Sequence, residues 1–111
     1  MGDSLERRSQ LRVEVSLAVE VRDESGDFTI HSSKDLSTGG LFFDRAIPQA
    51  VGAAVKLEFR LPGDPLPIKC DGQVVNVPDT HGFGMGINFV FLKEADRLRI
   101  EAFVQNRSGG H

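Results

Sequence analysis

Hydrophobic and polar residues alternate with period two along most of this chain, and a few turn-forming clusters interrupt the pattern. From Leu11 to Arg22, Val13, Val15, Leu17, Val19 and Val21 share one phase. Arg12, Glu14, Ser16, Ala18, Glu20 and Arg22 share the other. Successive strand side chains point to opposite faces, so this pattern with β-branched residues predicts a half-buried strand. Asp23-Glu24-Ser25-Gly26-Asp27 predicts a turn. Phe28 and Ile30 resume the alternation in a second strand reaching Ser33, and the pair reads as a hairpin.

A polar, glycine-rich loop, Lys34 to Gly40, precedes a short apolar strand, Leu41-Phe42-Phe43, and a connection from Ala46 to Gly52 follows it. Val55, Leu57, Phe59 and Leu61 alternate with Lys56, Glu58 and Arg60, and Pro62-Gly63-Asp64-Pro65 ends that strand. The next strand runs from Ile68 to Val77. Its phase slips near Gly72 or Val74-Val75, which predicts a bulge. After the Pro78–Gly82 turn, Met85, Ile87, Phe89 and Phe91 alternate in a last strand. The period then changes. Ala95, Leu98, Ala102 and Phe103 fall near helical spacing, Ile100 and Val104 widen the face, and Glu94, Asp96, Arg97, Arg99 and Glu101 form a solvated one.

Short strands separated by regular turns predict an all-β fold. A six-stranded antiparallel small β-barrel is the economical solution, because closure removes exposed edges. One C-terminal α-helix would cover one end. Residues 1–10 read as a flexible basic arm, residues 11–105 as the barrel with its helix, and residues 106–111 as a disordered tail. All eight phenylalanines are expected in the core.

Composition narrows the function. The 111 residues carry a net charge of −3, which argues against a nucleic-acid polymer as the main partner. One cysteine excludes an internal disulfide. No apolar run approaches the ~18 residues of a membrane span, and Met1 to Arg12 lacks a signal-peptide centre. Membrane insertion is therefore not expected, and a cytoplasmic protein is. Cys70 lies in an apolar phase and reads as a buried thiol. His31, His81 and His111 have no metal-ligand spacing. Gly82, Gly84 and Gly86 do not sit between a strand and a helix, as a dinucleotide fingerprint requires. No acid–base pair or nucleophile stands out, so an enzyme is not expected and no catalytic cofactor is implied.

Two clusters carry candidate chemistry: Arg7-Arg8-Ser9-Gln10-Leu11-Arg12 before the first strand, and Asp35-Leu36-Ser37-Thr38-Gly39-Gly40 after the second. A hairpin of those strands would bring the clusters together. Arginine binds phosphate bidentately and stacks on flat rings. Asp35 can accept two hydrogen bonds from a guanine edge, and Ser37 can donate one. Gly39 and Gly40 let backbone N–H groups approach an anion. This inventory suits binding a phosphorylated guanine nucleotide, not hydrolysing one.

Arg8-x-x-x-Arg12 followed by Asp35-x-Ser37-x-x-Gly40 resembles the PilZ domain, and the resemblance spans about Glu6 to Gln105. Leu41-Phe42-Phe43 and Gly84-Met85-Gly86-Ile87-Asn88-Phe89 also fit the family pattern. The resemblance implies a receptor for cyclic di-GMP. Arg8 and Arg12 would hold phosphate and guanine, Asp35 and Ser37 would read guanine or its ribose-phosphate edge, and Gly40 would shape the loop. Arg7, directly before the motif, leans toward an intercalated ligand pair. Ligand would change the arm conformation and signal to a partner, an unidentified effector protein, from a monomer or weak homodimer. The alternative is a PilZ-like adaptor that acts by protein–protein contact without nucleotide.

Overall fold

The structure, a computed structural model, describes residues 11–46, 50–76 and 84–109. It contains β1 (Val13–Glu14), β2 (Ala18–Arg22), β3 (Phe28–Ser32), β4 (Asp35–Ser37), β5 (Gly40–Phe43), β6 (Ala54–Phe59), β7 (Ile68–Asn76), β8 (Met85–Phe91) and helix α1 (Glu94–Gly109). All strand pairs are antiparallel, in the order β1-β4-β5-β8-β7-β6-β2-β3.

The eight strands derive from six chain runs. β1 and β2 are halves of one run, and β3 and β4 are halves of the next. β2 pairs with β3 and β1 with β4, so the two runs remain neighbours on both sides of a shared bend. Each end strand thus continues along the chain into the strand beside the opposite end, so the sheet curls round on itself as an antiparallel barrel of six runs, as the sequence suggests, with the outer edge of β3 left open among the described residues. Val15 N–H donates to the Lys34 carbonyl at 3.0 Å, and Ser33 N–H to the Leu17 carbonyl at 2.9 Å. Buried Ser33 completes the bend, since its Oγ donates to the Val15 carbonyl at 2.6 Å and accepts the Leu17 N–H at 2.9 Å. A bent ribbon otherwise strands backbone groups away from water, and one hydroxyl here satisfies two.

The core is the inward phase of these strands. Val13, Val15, Leu17, Val19, Val21, Val55, Leu57 and Phe59 are all buried. The β7–β8 register shifts at Asp71/Gly72 and again at Val74/Asn76, bearing out the expected bulge.

β3 departs from expectation. Phe28 and Ile30 face outward, 52% and 65% exposed. The hairpin register explains it: Val21 pairs with Thr29 and Val19 with His31. Directly paired residues share a face, so Thr29 and His31 take the inner phase. Phe28 falls opposite Arg22, whose guanidinium lies 4.8 Å from its ring. Phe91 is also exposed, so the phenylalanines are not all in the core. Asp35–Ser37, expected within a loop, forms a strand because β1 and β5 flank it.

Helix α1 packs against β4 and β1. Ile100 and Val104 are its buried pair, with Phe103 partly buried. Ala95, Leu98 and Ala102, expected on the inner face, are exposed. Polar anchors set this rotation. Arg99, expected on a solvated face, donates through Nη2 to Asp64 Oδ2 at 2.8 Å and to the Leu66 carbonyl at 2.7 Å. Arg107 reaches the Glu14 carbonyl. The helix also continues through Gly109, so residues 106–109, expected in a disordered tail, extend it.

Candidate functional site

The bent ribbon brings the two sequence clusters together. Arg12 directly precedes β1, and β1 pairs with β4, which carries Asp35 and Ser37. Arg12 Nη1 donates to Asp35 Oδ1 at 2.6 Å. The Arg12 side chain is 51% exposed and that of Asp35 only 15%. The carboxylate is therefore oriented in a recess, while half of the arginine side chain faces solvent. Arginine has five N–H donors, and one suffices for this contact.

Beyond Asp35 the outward phase crosses three strands. Asp35 pairs with Phe42 and Phe42 with Gly86, while Ser37 pairs with Gly40 and Gly40 with Asn88. Two positions on this face, Gly40 and Gly86, have no side chain. Their absence forms the floor of a shallow depression of about 300 Å³, walled by Arg12, Asp35, Phe42, Val75 and Asn88. Gly40 is required sterically, because a Cβ there would collide with the Ile87 carbonyl oxygen of β8. The second β7 bulge supplies Val75: Val74 pairs with Ile87 and Asn76 with Gly86, leaving Val75 as the extra residue at the rim. Bulges commonly re-aim a residue beside a site.

Among the sequence-derived site residues, Arg12, Asp35 and Gly40 border the depression. Ser37 and Gly39 lie in the adjoining turn. Ser37 is fully buried, and its Oγ accepts the Gly39 N–H at 3.1 Å. The Gly39 carbonyl accepts the Phe89 N–H at 2.9 Å, which ties the turn to β8. Arg7 and Arg8 lie outside the described residues. Phe42, Val75, Gly86 and Asn88 are wall or floor residues that the sequence did not assign to the site, although Phe42, Gly86 and Asn88 fall in segments that fit the family pattern. One signal was available for two of them: in Gly84-Met85-Gly86-Ile87-Asn88-Phe89 the outward phase is glycine and asparagine while the inward phase is apolar.

Burial, aided by the nearby carboxylates of Asp71 and Asp96, pushes the Cys70 thiol up to about 12, so it is a packed thiol. The His31 ring packs tilted against Phe43, with centroids 5.3 Å apart, and shares a hydrogen bond with Thr29 Oγ1 at 2.9 Å. Its burial lowers its pKa below 6.5. Among the described residues no group of His, Cys, Asp and Glu is arranged to hold a metal ion. None of the described helices is long and apolar enough to cross a membrane.

Comparison with known proteins matches the PilZ domain family model to residues 6–106. Among solved structures, the motility inhibitor MotI/DgrA of Bacillus subtilis superposes with a TM-score of 0.81 at 20% identity, over 94% of this chain and 52% of that one. The PilZ domain of YcgR from Escherichia coli, solved with c-di-GMP, gives 0.71 at 13% identity, over 94% and 93%. The c-di-GMP complex of K. pneumonia MrkH gives 0.69 at 21% identity, over 94% and 53%. The chain thus spans about half the length of the MotI/DgrA and MrkH chains, and at these identities the likeness shows a shared fold. Comparison with curated proteins finds no match.

Proposed function

We propose, from the premise that this chain belongs to the PilZ domain family, that it is a cyclic di-GMP receptor that reads guanine at the Arg12–Asp35 pair. The observation that carries this reading is that pair, set at the rim of a glycine-floored depression. A guanine edge offers two adjacent N–H donors, N1 and N2, and a carboxylate accepts both. Asp35 is recessed and pre-oriented, so it loses little freedom on binding. Among the described residues Arg12 spends one donor, on Asp35, and its half-exposed side chain offers the others to a ligand phosphate and a plane for stacking. Titratable catalytic machinery plays no part in this reading; the site binds and does not turn over.

The depression, at about 300 Å³, is at the small end of ligand sites. It suits one guanine, and in this reading the rest of the ligand lies beyond Arg12, on the side of the sequence that carries Arg7 and Arg8. In this reading those arginines close on the phosphates, Ser37 and Gly39 exchange their mutual hydrogen bond for ligand contacts, and Gly40 keeps β5 against β8. Closure of residues 1–10 over the ligand changes the surface that an effector protein reads. The signal is a shift in arm population, driven by the ligand's preference for one arm position.

Titration of the purified protein by calorimetry tests this, with GTP and cyclic di-AMP as controls. Selective binding of cyclic di-GMP is expected, and two ligands per chain would mark an intercalated pair at Arg7, Arg8 and Arg12. A folded sample that gives no heat overturns the receptor reading. It would favour the adaptor, for which the observation is a groove of about 500 Å³ beside exposed Val90 and Phe91.

A further inference from the structure

We propose that the outer edge of β3 is a self-association edge, at which two copies of this chain pair antiparallel through Phe28–Ser32. Among the described residues β3 pairs with β2 alone. The hydrogen-bond phase shows which groups are left over. Asp23 N–H bonds the Asp27 carbonyl and Ser33 N–H bonds the Leu17 carbonyl. Antiparallel pairs alternate between bonded and non-bonded, so the odd-numbered residues of β3 face β2. The N–H and C=O groups of Phe28, Ile30 and Ser32 point to the free edge.

Among the described residues nothing covers that edge. The strand itself has no lysine, proline or bulge, and it bears exposed Phe28 and Ile30. Its two ends differ in charge. At the Phe28 end lies the Asp23–Asp27 turn, where the carboxylates of Asp23, Glu24 and Asp27 outnumber the one guanidinium of Arg22 that bonds the Gly26 carbonyl. At the Ser32 end, Lys34, Arg45 and Arg107 share a recess of about 450 Å³ with Ser32. Glu14 and Asp44 also line that recess, which leaves the cations in excess.

A two-fold pair centred on Ile30 sets Phe28 opposite Ser32 of the other copy and Ile30 opposite itself. The free backbone groups of all three residues then bond across the edge. The acidic turn of each copy falls against the basic recess of the other, twice. A parallel pair would instead place acid against acid. This self-complementarity is what an isologous interface requires, and it commits the edge to a second copy of the chain.

Sedimentation of the full chain over micromolar to millimolar concentration tests the proposal. The expected result is a reversible rise toward twice the 12.1 kDa chain mass, weakened by added salt. Ile30→Lys, at a surface position, should hold the chain monomeric at every concentration. A short bifunctional thiol reagent checks the register, since native Cys70 is buried. Ile30→Cys should be trapped as a dimer, because paired Cα atoms lie about 5.5 Å apart. Ser25→Cys should not, because the same register separates its two copies by roughly 33 Å. A wild-type chain that stays monomeric overturns the proposal. So does a dimer that survives Ile30→Lys, or equal trapping at both cysteine positions.

Discussion

The two halves of the bent ribbon invert what their compositions suggest. β4 reads Asp-Leu-Ser, with one apolar residue, yet Leu36 and Ser37 are fully buried. β3 reads Phe-Thr-Ile-His-Ser, with two large apolar residues, and both are exposed. They belong to one chain run and differ in what surrounds them. β4 lies between β1 and β5, with α1 packed over it. β3 has β2 on one side, and its register turns Phe28 and Ile30 away from the barrel. A residue's burial is decided by its neighbours, and hydrophobicity determines only how much that burial contributes.

The largest expected effect comes from closing the space between β5 and β8. Gly40→Ala drives a Cβ into the Ile87 carbonyl, where backbone must yield, and should cost about 3 kcal/mol or more. Gly26→Ala, at a φ of 94° in the open turn before β3, should cost only about 1 kcal/mol. Urea unfolding of both variants measures the difference. Equal losses would remove the steric argument for Gly40.

The comparison of β3 and β4 is tested directly by a second pair. Leu36→Ala should destabilise by about 2–5 kcal/mol. Ile30→Ala should change stability by no more than about 0.5 kcal/mol, measured where the chain is monomeric. Similar losses in the two variants would mean that β3 contributes to the core after all.

Binding comes next. Arg12→Ala should weaken cyclic di-GMP binding by about 1.5–3 kcal/mol, the scale of a lost charge-assisted hydrogen bond, with the melting temperature nearly unchanged because Arg12 is half exposed. Asp35→Ala should erode the preference for cyclic di-GMP over cyclic di-AMP more than it weakens phosphate attraction. An unaltered preference in calorimetry would remove Asp35 as the base reader.

The smallest effect is a pH dependence at β3. Burial lowers the His31 pKa below 6.5, so the folded state favours neutral imidazole. Between that lowered value and 6.5 the unfolded chain binds more protons. His31 therefore contributes its full stability above about pH 6.5, and the contribution falls as pH drops through the window below it. His31→Asn should flatten the stability profile there, as thermal unfolding across that range would show. A slope that persists unchanged belongs to another group.

Much of the candidate site was legible because its motif residues are close to the chain positions that a hairpin brings together. Arg12 and Asp35 could be paired on paper, since strands one and two had to be neighbours. Asn88 and Val75 were harder to find. They arrive from β8 and from a bulge in β7, far along the chain, and only the register Gly40↔Asn88 and the β7 slip place them at the rim. Ser33 was invisible for a related reason. A serine ending a strand looks like any turn residue until the bend around it shows two backbone groups in need of partners.

The alternation of this chain alone determined that it would be a small antiparallel barrel with a C-terminal helix, because period two commits each strand to one buried face and the turns leave short connections. The spacing of Arg8, Arg12, Asp35, Ser37 and Gly40 alone determined the resemblance to the PilZ family. Tertiary structure decided which face was buried where the pattern allowed either, as at Phe28 and Ile30, and which helix residues turned inward, as at Ile100 and Val104. Those choices depend on register and on anchors such as Arg99 with Asp64, whose partners lie far apart in sequence and meet only in the closed barrel.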